Sequence, residues 1–177
     1  MVDIVNIDAL LEQARRPERT VEVCLRGDLR AEFELLEEQL AKAEKKPRES
    51  LSDPGPALIA EQMEALREQM QASTIRIRLR AMPRREWATL VAEHPPRPDA
   101  AEDKGRLINM VTFFDAAVPK CIVDPDLSPT QFDRMVDAIS NGQWSELANA
   151  AWLVNTGTVD VPFSHAASRI SRNSDGT

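Results

Sequence analysis

Two short alternating runs bracket two helical seams of equal spacing, and no other feature constrains the fold of this chain as strongly. Thr20-Val21-Glu22-Val23-Cys24-Leu25 and Thr74-Ile75-Arg76-Ile77-Arg78-Leu79-Arg80 alternate apolar with polar or small residues, the period of a half-buried strand. Between them, Leu29, Phe33, Leu36 and Leu40 recur at four, three and four residues, and Ile59, Met63, Leu66 and Met70 repeat that spacing. Pro47 to Pro56, with three prolines, one glycine and two serines, separates the seams as an exposed turn. Two matched seams joined by one loop predict an antiparallel helical hairpin projecting from a pair of antiparallel strands. Glu22 then faces Arg76 or Arg78 across the strands. The acids Glu32, Glu37, Glu38, Glu61, Glu64 and Glu68 form the hairpin's solvated side.

An internal echo accompanies this pattern. Thr20, Leu25, Arg26, Arg30, Glu32 and Leu36 match Thr74, Leu79, Arg80, Arg84, Glu86 and Leu90 at a constant offset, and Phe33 meets Trp87. It suggests a strand-turn-helix unit used twice, with the second helix starting near Arg84 behind Pro83. Before the first strand, residues 3–15 read as a short amphipathic helix capped by Asp3, with Ile4, Ile7, Leu10, Leu11 and Ala14 on one side.

His94-Pro95-Pro96-Arg97-Pro98 breaks the chain, and the acidic residues 99–106 after it read as a linker. The expected organisation is a strand, hairpin and strand-helix region at 1–98, a helical region at 107–163 and a polar, flexible tail at 164–177. Helices are expected over Leu107–Val118, Pro129–Ser140 and Gln143–Asn155. Phe132, Met135, Val136 and Ile139 form the stripe of the second, and Trp144, Leu147, Ala148, Ala151 and Val154 that of the third. The fold class is therefore α+β, mainly helical: a two-stranded antiparallel element with an inserted hairpin, then a helical second half.

Composition narrows the function. With 22 basic against 29 acidic residues the net charge is −7, whereas a phosphate-tracking surface normally needs a basic excess. The best basic patch is Arg76, Arg78, Arg80, Arg84 and Arg85, which is expected to meet the acidic hairpin or an acidic partner helix. Cys24 and Cys121 stand alone, without the paired spacing of a zinc site, and read as reduced core thiols. His94 and His165 have no partner by sequence, and Asp124-Pro125-Asp126 reads as a turn before a helix. Phosphate-loop and nucleophile-elbow motifs are absent. No basic leader and no apolar run of membrane-spanning length appears, so neither a signal peptide nor a membrane span is expected. No catalytic, cofactor-binding or metal-binding residue is assigned.

Further motifs follow one another in a characteristic order. Arg84-Arg85-Glu86-Trp87, His94-Pro95-Pro96-Arg97, Asn109-Met110-Val111-Thr112-Phe113-Phe114, Cys121-Ile122-Val123-Asp124-Pro125, Gly142-Gln143-Trp144, Asn155 and Val161-Pro162-Phe163-Ser164 carry it. In that order, over residues 18–170, the chain resembles the tail assembly chaperones of long-tailed, siphovirus-type phages of actinobacteria. Seventeen of the 22 basic residues are arginine, which agrees with a GC-rich host. The resemblance implies a non-catalytic protein of the host cytoplasm, absent from the finished virion. Such a protein binds the tape measure protein and helps tail-tube subunits assemble around it. It also implies short and frameshifted longer products.

The expected partners are thus the tape measure protein and the major tail tube protein, with self-association open and no membrane. Phe113, Phe114, Met135, Trp144 and Trp152 are the candidate partner-binding residues, each with a competing role in the core. Two other readings stay open: a virion structural protein of the tail-completion or neck type, and a small nucleic-acid-binding regulator using the arginine strand.

Overall fold

The computed structural model describes residues 6–45 and 55–158. Asp3 and Ile4, most of the Pro47–Pro56 turn, the Val161–Ser164 motif, His165 and the 164–177 tail lie outside the described residues. The architecture is α+β and mostly helical. Strand β1 (Glu18–Cys24) pairs antiparallel with β2 (Thr74–Arg80), from Glu18 opposite Arg80 to Cys24 opposite Thr74. A third strand, β3 (Ile122–Asp124), pairs antiparallel with the far side of β2, so the sheet has three strands rather than the two expected. Three residues are too few to show a period, and β3 follows a helix without a break, so no sequence signal separates the two.

Alternation sorts the sheet into two faces. Val21, Val23, Ile77 and Leu79 are buried on one. On the other, Arg76 meets Glu22 at 3.1 Å, Arg80 meets Glu18 at 2.7 Å, and Arg78 reaches Glu18 at 3.3 Å and Asp124 at 3.9 Å. The arginine stripe is therefore matched by acids on the neighbouring strands and not, among the described residues, by the helical hairpin. Cross-strand distances are shorter than any reach to a projecting arm, so the local acids win.

In the chain between β1 and β2 lie α2 (Asp28–Glu44) and α3 (Gly55–Ala72), which pack on each other. At 17 and 18 residues each is about 25 Å long. Leu29 and Leu66 are buried between them. Phe33, Leu36, Leu40, Ile59, Met63 and Met70 are only half-buried, because two helices cover one side of each other's seam. A strand-turn-helix unit is used twice, as expected, with Glu18 corresponding to Thr74 and Asp28 to Arg84, but this alignment is two residues out of step with the internal echo. The echo's offset aligns Leu25, exposed beyond the end of β1, with Leu79, which is wholly buried inside β2.

The principal core lies on the apolar face of the sheet and takes residues from both sides of 99–106 in one cluster. It is closed by α4 (Arg84–Glu93), α5 (Phe113–Cys121), α6 (Pro129–Ala138) and α7 (Asn141–Thr156). Helix α5 starts at Phe113, not Leu107. The Asn109 side chain accepts from the Val111 and Thr112 amides at 3.0 and 3.3 Å, and this local turn competes with helix. Ser128 with Gln131 and Ser140 with Gln143 form capping boxes that set the starts of α6 and α7.

Helix α7 is tied to both ends of the β1–β2 ribbon. Gln143 Nε2 donates to the Cys24 carbonyl at 2.7 Å, and Asn155 Oδ1 accepts from the Met82 amide at 2.7 Å. The 99–106 segment, expected as a linker, includes a 3-10 turn at Ala101–Asp103 and is anchored by Asp103, which is 2% exposed. Helix α1 (Ile7–Gln13) is shorter than expected, is capped by Asn6, and buries no residue.

Candidate binding groove

Helix α7 is apolar on two adjoining sides. Leu147, Ala151 and Val154 turn into the core, while Trp144, Ala148 and Trp152, spaced by one turn each, line an open groove. The opposite wall comes from residues 105–114, where Leu107, Ile108, Met110 and Phe114 face the groove. Its volume is about 530 Å³. Arg106 is its one charged lining residue, and Asn141, Ser145 and Asn149 supply polar groups along the edge. Leu107 is 76% exposed, and nearby Val111 is 55% exposed.

Two devices hold the non-helical wall in place. Gly105 has φ 73°, a left-handed conformation that a residue with a Cβ adopts only under strain. Two residues earlier, the Asp103 carboxylate accepts from the Arg97 guanidinium and the Arg97 amide, both at 2.8 Å, and from the Met110 amide at 2.9 Å. The Arg97 side-chain hydrogen bond, aided by the two amides, holds the Asp103 carboxyl well below the usual carboxylate range despite its burial. The wall is therefore a clamped loop.

Beneath the groove lies an aromatic cluster. Phe113 meets Trp87 edge-on at 5.2 Å, Phe114 at 5.2 Å and Trp152 at 6.1 Å, and the His94 ring approaches Phe113 at 6.0 Å. Phe132 meets Trp144 edge-on at 6.3 Å. Of the five candidate partner-binding residues, Phe114, Trp144 and Trp152 are brought together on the groove. Phe113, wholly buried, and Met135, 6% exposed, belong to the core instead. Sequence reasoning missed Arg106, Leu107, Ile108 and Met110. The helical reading of 107–118 scattered them around a helix, whereas the Asn109 turn gathers them on one wall.

The remaining chemical candidates stay apart. His94 Nδ1 lies 2.9 Å from Thr112 Oγ1, in a contact that ties α4 to the start of α5. Burial pushes the Cys121 thiol up, although Asn155 Nδ2 donates to its sulfur at 3.3 Å. Cys24 is half-buried, and its thiol donates to the Met70 carbonyl at 3.6 Å. Glu18 is held below the usual range, chiefly by its hydrogen bond from Arg80. Among the described residues, no three His, Cys, Asp or Glu side chains gather as a metal ion would require. No described helix is long and apolar enough to cross a membrane.

No family model, curated protein or solved structure matches this chain.

Proposed function

We propose that this chain is a non-catalytic phage tail assembly chaperone that holds apolar helical segments of a tape measure protein before the tail tube encloses them. The observation that carries the reading is the groove itself. It is open, lined by Phe114, Trp144, Trp152, Met110 and Leu107, and contains a single charged group. Such a channel accepts the i, i+3, i+4 side chains of an amphipathic helix. The order of the motifs that resemble tail assembly chaperones supports the same reading, and two of them, Asn109–Phe114 and Gly142–Trp144, supply groove residues.

The physical need is clear. A long tape measure helix exposes apolar stripes until the tube surrounds it, and uncovered stripes aggregate. Covering them with a protein of net charge −7 keeps the complex dispersed. Arg76, Arg78 and Arg80 each meet a strand carboxylate, which weighs against a phosphate-tracking role for that stripe.

The test is co-expression with the cognate tape measure protein, scoring the fraction that stays soluble. Removing residues 107–155 is unsuitable, because that segment supplies part of the core. Leu107→Glu instead places a charge on a side chain already 76% exposed. The wild type is expected to keep the tape measure protein soluble and Leu107→Glu to lose most of that effect. Equal solubility without the chaperone contradicts the function, and full activity of Leu107→Glu contradicts the site.

A further inference from the structure

Helix α1 and the groove present complementary surfaces within one chain. Three large apolar side chains of α1, Ile7, Leu10 and Leu11, are 59%, 55% and 65% exposed. The helix buries none of its residues, so burial against its own body does not account for its amphipathic pattern. Its acids Asp8 and Glu12 stand one turn apart beside this stripe. Across the molecule's apolar groove, the single charged lining residue is Arg106, which makes no ion pair among the described residues. An acidic, leucine-bearing helix thus matches an aromatic groove with one unmatched cation.

We infer that α1 of one copy seats in the Trp144–Trp152 groove of a second copy, with Asp8 and Glu12 toward Arg106. Ile7, Leu10 and Leu11 provide the i, i+3, i+4 anchors that a helix-in-groove contact uses. The inference concerns this chain alone, so it stands or falls independently of the tape measure reading. If both hold, a client helix and α1 compete for one groove, and self-association becomes a store of covered binding sites.

The experiment is sedimentation of the full chain over a micromolar concentration series, paired with tryptophan emission. The wild type is expected to rise with concentration above its monomer mass of 19.8 kDa. Leu10→Glu/Leu11→Glu alters only exposed side chains and is expected to keep its fold by near-ultraviolet circular dichroism. That variant should self-associate at least about tenfold more weakly. Arg106→Glu should weaken association, and Asp8→Arg/Glu12→Arg in the same chain should restore it. A synthetic peptide of residues 6–16, added to the Leu10→Glu/Leu11→Glu chain, should shift tryptophan emission, because Trp144 and Trp152 line the groove. A wild type that stays monomeric throughout overturns the inference. So does association that both the leucine and the Arg106 variants leave unchanged, since another surface is then responsible.

Discussion

Asp103 and Arg97 form a buried-to-surface clamp: the carboxylate side chain is inaccessible, the guanidinium is 41% exposed, and Nε lies 2.8 Å from Oδ2. The same carboxylate takes two backbone amides, so one side chain fixes the turn that leads to the groove wall. Its geometry suits an anion better than any neutral isostere.

Asp103→Asn is expected to lower Tm, because an amide cannot accept from all of these donors at once. The pH dependence follows from the lowered carboxyl. A depressed folded-state pKa contributes stability that is fully present above the unfolded value of about 4 and is lost as pH falls toward the folded value. The gap in Tm between wild type and Asp103→Asn should therefore be constant near neutrality and close progressively below about pH 4. A gap that widens in acid contradicts the clamp.

Gln143 makes two kinds of contact that its counterpart Gln131 does not combine. Both complete capping boxes, but only Gln143 also donates to the Cys24 carbonyl. Gln131→Ala should cost about 0.5–1 kcal/mol, and Gln143→Ala about 1 kcal/mol more, measured by urea unfolding. Equal losses would show that the tie from α7 to β1 contributes nothing.

Asn155 closes the other end of α7. Its Oδ1 takes the Met82 amide, while Nδ2 donates to Ala151 O at 2.7 Å and to Cys121 Sγ. Asn155→Leu leaves the Met82 amide unpaired in a partly buried place and should cost about 1–3 kcal/mol. Asn155→Asp keeps the acceptor but loses both donors, and should fall between Asn155→Leu and the wild type at neutral pH.

Legibility differed by element, for physical reasons. The pairing of β1 with β2 was readable because one face meets the core, which forces Val21, Val23, Ile77 and Leu79 into strict alternation. The seams of α2 and α3 were readable for the same kind of reason, since each buries one stripe. Part of the groove was also legible: Trp144 and Trp152 stood out as candidate binding residues, although the periodicity joined Trp144 to the core stripe of Leu147, Ala151 and Val154. The facing wall was not. Asp103 sits in a run that looks solvated, and its burial depends on partners six and seven residues away. Without that clamp, nothing in the sequence turns Leu107, Ile108 and Met110 toward α7. The third strand was hidden by its three-residue length.

The two thiols should separate in a modification experiment. Cys121 is wholly inaccessible, and burial raises its pKa, which lowers the thiolate fraction at any given pH. Cys24 is only half-buried and should react first with a thiol reagent, with Cys121 modified only on unfolding. Mass spectrometry of the labelled peptides assigns the order. Faster labelling of Cys121 would contradict the packing of α5 against α7.

Phe113 and Leu107 should part company, although they lie only six residues apart: Phe113 is buried in the core and Leu107 is exposed on the groove wall. Phe113→Ala removes a wholly buried ring at the centre of the aromatic cluster and should cost about 3–5 kcal/mol in urea unfolding. Leu107→Glu should change stability by no more than about 0.5 kcal/mol. Comparable losses would mean that Leu107 packs into the fold and not at a binding surface.

Hydrogen exchange on the chain, free and mixed with the proposed tape measure client, tests the central claim most directly. If the groove holds the client helix, amides of residues 105–114 and side-chain-shielded positions along 141–152 gain protection in the complex, while the outer face of the sheet does not change. Protection confined to α2 and α3, or a complex that leaves both groove walls exchanging as in the free chain, would contradict it.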